Sequence, residues 1–180
     1  LVEGLALAME RGEVTLLELV TAYAALANDG RYRPLRTLRD TPELQPRQVL
    51  SRPVSHLIGN ILADPDARQL EFGTGGLMRF PLETAIKTGT SSDYRDAWAV
   101  AFNHRYTVGV WMGSLDGTPM RDISGSRGPV PVVRAVFRIG SSILTGSRFS
   151  SAGLAFSIRV RAMMSSIWCF WRSEFQIATS

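Results

Sequence analysis

The stretch Thr84-Ala85-Ile86-Lys87-Thr88-Gly89-Thr90-Ser91-Ser92-Asp93-Tyr94-Arg95-Asp96-Ala97-Trp98-Ala99-Val100-Ala101-Phe102-Asn103-His104-Arg105-Tyr106-Thr107-Val108-Gly109-Val110-Trp111-Met112 decides the fold. It contains three short runs, Thr84 to Thr90, Ala97 to Phe102 and Tyr106 to Met112, rich in β-formers and aromatic residues. Connections this short join antiparallel neighbours, and Asn103-His104-Arg105 is the length of a hairpin loop. The spacing therefore predicts three consecutive antiparallel strands.

Upstream the period changes to that of helices. Thr15 and Glu18 form a capping-box pattern before Leu16, Leu19, Val20, Tyr23, Leu26 and Ala27, and Asn28-Asp29-Gly30 ends the run. Arg31 to Arg39 reads as extended, with Pro34 restricting it to an edge or an irregular strand. A further helix is predicted with Ser51 as cap, Pro53 in the first turn, and Val54, Leu57, Ile58, Ile61 and Leu62 on one face, stopping near Asp64-Pro65. Leu1 to Met9 is apolar and compatible with another helix. Helices first and strands afterwards give an α+β class, an antiparallel sheet flanked by helices.

Charge divides the chain. Its 180 residues carry a formal net charge of +4, which would suit nucleic acid or an anionic membrane as partner if it were spread evenly. Residues 1–122 instead hold 13 basic and 15 acidic side chains, while residues 123–180 hold 7 basic ones against Glu174 alone. The basicity belongs to the tail, and no nucleic-acid partner is expected. Past Ser126 acidic residues almost vanish and caps and turns lose their order. The expected division is 1–125 as one folded part and 126–180 as a basic, poorly ordered tail, read either as a flexible C-terminal extension or, in the favoured reading, as the product of a reading-frame shift between Ser126 and Gly140. Phe149 to Trp171 is interrupted by Arg159, Arg161 and serines and does not read as a membrane span. The start at Leu1 suggests a piece of a longer chain, with any membrane anchor expected only in the full-length protein. Cys169, the single cysteine, has no disulfide partner in the chain and no zinc-ligand spacing, and neither a metal nor another cofactor is expected.

Lys87 is the only lysine among 20 Lys and Arg residues, and it opens Lys87-Thr88-Gly89-Thr90-Ser91 on a predicted strand. On a pleated strand Thr88 and Thr90 share one face, and Lys87 and Gly89 the other. Two neighbouring hydroxyls can hold a carboxylate, an ammonium adds charge, and a glycine admits another backbone. Such an edge can bind the acidic end of an extended peptide by strand addition.

Other candidates are weaker. His56 and His104 read as a helix-face and a loop histidine, Asp93 and Asp96 as loop carboxylates, and Trp98 and Trp111 as packing on adjacent strands. Gly73-Thr74-Gly75-Gly76 lacks the basic residue and helix start of a phosphate loop.

The capped helix from Thr15, Arg31-Tyr32-Arg33-Pro34-Leu35, Ile61-Leu62-Ala63-Asp64-Pro65, Lys87-Thr88-Gly89-Thr90-Ser91, Asp96-Ala97-Trp98 and Tyr106-Thr107-Val108-Gly109-Val110-Trp111 together resemble the transpeptidase domain of bifunctional penicillin-binding proteins, over most of residues 10 to 120. The resemblance implies part of a β-lactamase-like transpeptidase fold and a serine acyltransferase of the bacterial periplasm. Its partners would be peptidoglycan stem peptides and β-lactams. It further implies that Lys87 supports the site electrostatically, that Thr88, Gly89, Thr90 and Ser91 contact the substrate, and that the Thr90 N–H is an oxyanion-hole donor. The family's Ser-x-x-Lys and Ser-x-Asn elements do not occur in these residues. The resemblance therefore also leaves open a non-catalytic peptide-binding or sensor module, or a pseudogene-like product.

Overall fold

The computed structural model describes residues 14–35, 42, 44–72, 76–78, 80, 82–146 and 168–170. Leu1 to Met9 and the greater part of the basic tail, 147–167 and 171–180, lie outside the described residues, as do Arg36 to Arg39 and the glycine cluster before Gly76, 73–75.

Helix α1, Leu16–Ala27, forms as its ends dictate. Thr15 accepts from the Glu18 N–H through Oγ1 at 3.2 Å, and the Thr15 N–H donates to Glu18 Oε2 at 2.9 Å. This reciprocal pair satisfies two N–H groups that a bare helix end leaves unpaired, and it holds the Glu18 carboxyl below its ordinary pKa. The chain then turns into a two-residue strand β1, Arg31–Tyr32, paired antiparallel with β2, Arg47–Gln48. Among the described residues of the extended run expected from Arg31 to Arg39, Arg31 and Tyr32 form the ladder.

Helix α2, Arg52–Ala63, begins after Ser51, whose side chain makes no capping bond, with Pro53 in the first turn. The helix stops at Ala63 as expected, and a further helix not read from sequence, α3, Pro65–Phe72, follows at once. Asp64 explains it, since its Oδ1 accepts the N–H of Asp66 at 2.8 Å and of Ala67 at 3.4 Å, ahead of a proline suited to a first helical position. The expected apolar face of α2 is also corrected. Val54, Leu57 and Ile61 are 42%, 60% and 59% exposed, whereas Ser55 is buried. The helix docks through small residues, Ser55 and Gly59, the latter against the Phe102 ring.

The sheet comprises β3, Ala85–Thr90, β4, Asp96–Phe102, β5, Thr107–Gly113, and β6, Trp168–Phe170, in that spatial order and antiparallel throughout. The first three are the strands read from sequence. Strand β6 is an addition, pairing Trp168 with Trp111 and Phe170 with Gly109. Asn103 closes the β4–β5 hairpin by accepting the N–H groups of Arg105 and Tyr106 through Oδ1 at 2.8 and 2.9 Å.

Registers Ile86↔Ala101, Thr88↔Ala99 and Ala99↔Val110 put Ile86, Ala99, Ala101, Val108 and Val110 on one face. That face is covered by helix α4, Pro129–Gly146, through Val130, Val133 and Phe137, all at most 2% exposed. The packed part of the chain therefore continues past residue 125, and the poorly ordered tail does not start at Ser126. Positions 130, 133 and 137 recur at helical spacing, and burying each side chain contributes about 1.5–3 kcal/mol against the entropy of ordering the helix. On the opposite face α1 crosses β5 at Gly109, where an added Cβ would lie 2.2 Å from Val20 Cγ2. Tyr23 meets Phe102 there at a ring separation of 6.2 Å, and its burial raises the phenol pKa. The result is three layers, α4, the sheet, and α1 with α2. No helix among the described residues is long and apolar enough to cross a membrane.

Candidate functional site

Strand β3 is the edge of the four-stranded sheet, and its ladder phase decides which backbone groups are presented there. The Ser91 N–H donates to the Asp96 carbonyl at 2.9 Å, so Ser91 faces β4. In an antiparallel pair alternate residues face the partner. Gly89, Lys87 and Ala85 therefore share that orientation, and Thr90, Thr88 and Ile86 direct their N–H and C=O groups to the open side.

Lys87 confirms the phase. Its exposed ammonium donates to the Thr88 carbonyl at 2.5 Å, a group it can reach only if that carbonyl points outward. A cation is thus placed at the open edge, beside the outward N–H of Thr90. Thr88 and Gly89 are half-buried and Thr90 is exposed.

Ser91 differs from expectation in what its hydroxyl does. It accepts the Asp96 N–H at 2.7 Å, which closes the neck of the β3–β4 hairpin. Asp96 in turn accepts the Trp111 indole N–H at 2.8 Å, and Trp98 and Trp111 sit as a tilted cross-strand pair 6.2 Å apart. Asp96 and both tryptophans accordingly hold the sheet in shape around the edge. Asp93 makes a long, exposed ion pair with Arg95 at 3.8 Å. His56 Nε2 lies 2.6 Å from Asp29 Oδ1 and links α2 to the turn after α1, and His104 stands on the hairpin loop next to Arg105. Among the described residues neither histidine has a hydrogen bond or ion pair to Lys87; their partners are Asp29 and Arg105.

One participant is not singled out by sequence. The Gly125 N–H donates to Thr90 Oγ1 at 3.0 Å, across a separation of 35 residues. A Cβ at Gly125 would lie 2.6 Å from the Trp98 carbonyl oxygen and 2.7 Å from that of Gly89, so only glycine fits against the strand there. Its local signal is Ser124-Gly125-Ser126-Arg127-Gly128 before Pro129, a small-residue loop leading into a helix.

The chain is similar to proteins of one family. A sequence model of the penicillin binding protein transpeptidase domain matches residues 6–119. Penicillin-binding protein 1C of Escherichia coli is 40% identical over 125 residues, 69% of this chain and 16% of that protein. Penicillin-binding protein 4 of Bacillus subtilis is 30% identical over 107 residues, 56% of this chain and 17% of that protein. A solved peptidoglycan glycosyltransferase from Burkholderia ambifaria is similar with a TM-score of 0.44 and 19% identity, covering 76% of this chain and 43% of that one. The chain spans only 16% and 17% of the length of the two curated relatives. With well over half of its residues inside the matched domain, the chain belongs to the penicillin-binding protein transpeptidase family, of whose domain it forms a part.

Proposed function

We propose that this chain is the substrate-strand portion of a peptidoglycan D-Ala-D-Ala transpeptidase, a serine acyltransferase and β-lactam target at the periplasmic face of the bacterial inner membrane. The observation that carries the reading is the phase of β3, which turns the Thr90 N–H and C=O toward the open edge next to the Lys87 ammonium. An extended stem peptide adds to this edge as a further strand, pairing its backbone with that of Thr90. The hydroxyls of Thr88 and Thr90 bind its terminal carboxylate, Gly89 gives clearance, and Lys87 favours the anionic ligand.

In acyl transfer a serine oxygen attacks the carbonyl of the penultimate residue while a base takes its proton, the developing oxyanion needs fixed N–H donors, and the C–N bond to the terminal D-Ala breaks as its amine leaves with that proton. The Thr90 N–H supplies one such donor. The substrate strand supplies neither nucleophile nor base, because the 180 residues contain no Ser-x-x-Lys. Both must come from outside these residues, and until they do the chain binds without turnover.

Intact-mass spectrometry after treatment with a fluorescent penicillin tests the reading. The 180-residue chain is expected to form no covalent adduct. A longer chain extended upstream through a Ser-x-x-Lys helix is expected to form one, and to lose most of the labelling on Lys87→Ala. A stoichiometric adduct on the 180-residue chain would place the nucleophile among its own serines, such as Ser91, and overturn the assignment. Labelling of the longer chain that is indifferent to Lys87→Ala would remove the edge from the mechanism.

A further inference from the structure

Building on the carboxylate-binding role proposed for Thr90, we infer that Gly125 is a positioning residue of that site, whose N–H fixes the Thr90 hydroxyl as a donor toward the ligand. A threonine hydroxyl can donate or accept, and a free one rotates to suit whatever approaches. The Gly125 N–H, 3.0 Å from Oγ1, can only donate. It occupies a lone pair of the oxygen and leaves the hydroxyl proton directed away from it. Because Thr90 is exposed, that proton is available to an acceptor arriving from solvent. A carboxylate accepts it; an uncharged amide terminus gains much less.

The contact is anchored from the core outward. Gly125 is buried, and its carbonyl accepts the Val130 N–H at 3.2 Å in the turn that starts α4. Gly128 N–H donates to the Ser124 carbonyl at 2.9 Å, and the Ser124 and Ser126 hydroxyls lie 3.0 Å apart. Val130 itself is fully buried against the sheet. The packing of α4 therefore sets where the Gly125 N–H lies, and a Cβ at this position would press on the Gly89 and Trp98 carbonyls and push the loop off the strand.

The test is an NMR titration of the isotopically labelled 180-residue chain with an N-acylated peptide ending in D-Ala-D-Ala, either as the free carboxylate or as the C-terminal amide. The wild-type chain is expected to prefer the carboxylate by roughly tenfold or more. Gly125→Ala and Thr90→Val should each bring that preference close to unity, Thr90→Ser should keep it, and the double variant should lose no more than either single one. The Gly125 amide should exchange slowly with solvent in the wild type and in Thr90→Ser, and fast in Thr90→Val, a readout that holds even if Gly125→Ala does not fold. A folded Gly125→Ala chain with the wild-type preference, or Gly125 exchange unmoved by Thr90→Val, overturns this inference alone. A wild-type chain that binds neither peptide overturns the binding reading of β3 and this inference with it.

Discussion

The indole N–H of Trp111 donates to Asp96 Oδ1 at 2.8 Å, tying β5 to the first residue of β4. The same Asp96 receives the Ser91 N–H at its carbonyl and gives its own N–H to Ser91 Oγ. One aspartate thus joins three parts of the sheet next to the Lys87 edge. Asp96→Ala should cost about 1–3 kcal/mol, because it leaves a half-buried indole N–H without its acceptor. Asp96→Asn retains a carbonyl oxygen and should recover most of the loss. Urea denaturation followed by tryptophan fluorescence measures both, and equal stability of the two variants would discount the hydrogen bond.

Helix α4 makes a contrast with the outer face of α2. Phe137→Ala should destabilise the chain by about 3–5 kcal/mol, since the ring is 2% exposed and meets both Phe80 and Tyr106. Leu57→Glu, at a position 60% exposed, should change stability by no more than about 0.5 kcal/mol. A thermal shift for Leu57→Glu as large as that for Phe137→Ala would mean that the α2 face is covered in solution.

Truncation tests the same helix from the other side. A chain ending at residue 125 exposes the apolar face of Ile86, Ala99, Val108 and Val110 and loses Val130, Val133 and Phe137 from the core. It should fail to unfold cooperatively, whereas a chain ending at 146 should show a single transition. Circular dichroism melts distinguish the two, and cooperative unfolding of the shorter chain would show that α4 is dispensable.

Acid should weaken the fold through two exposed aspartates. The Ser114 hydroxyl, with the Thr118 N–H and hydroxyl, holds the Asp116 carboxyl down at about 2, and the His56 hydrogen bond, helped by Arg52, holds Asp29 below its ordinary value. A carboxyl whose folded pKa is depressed binds its proton more readily when unfolded. Its contribution is therefore complete above the unfolded value of 3.8 and is lost as pH falls through the folded one. Carboxyl NMR shifts should give a midpoint near 2 for Asp116. Stability should decline between pH 4 and pH 2, less steeply in Asp116→Ala. An Asp116 midpoint at its ordinary value would remove the effect.

Much of this architecture is written locally. The Thr15 and Glu18 pair sits three residues apart and makes its capping box from its own side chains, and the alternation in Ala85 to Thr90 assigns Thr88 and Thr90 to one face before any partner is known. The strands from Lys87 to Met112 are likewise legible, because short connections allow antiparallel neighbours and little else. Helix α3 was legible in principle from Asp64-Pro65, yet the same dipeptide also marks a stop, and local sequence does not choose between the two. The side on which α2 docks was not legible, since Val54, Leu57 and Ile61 of the expected apolar face point outward and Ser55 and Gly59 make the approach.

Tertiary structure alone decided the edge. Side-chain alternation follows from pleating, which is a property of one strand. Whether the Thr90 N–H faces a neighbour or the open side depends on which strand pairs with it and in which phase, and Ser91 with Asp96 sets that. The contact between Gly125 and Thr90 lies still further from sequence. It joins residues 35 apart, it needs α4 packed on one face of the sheet, and its only local trace is a glycine whose missing side chain matters once another backbone has arrived.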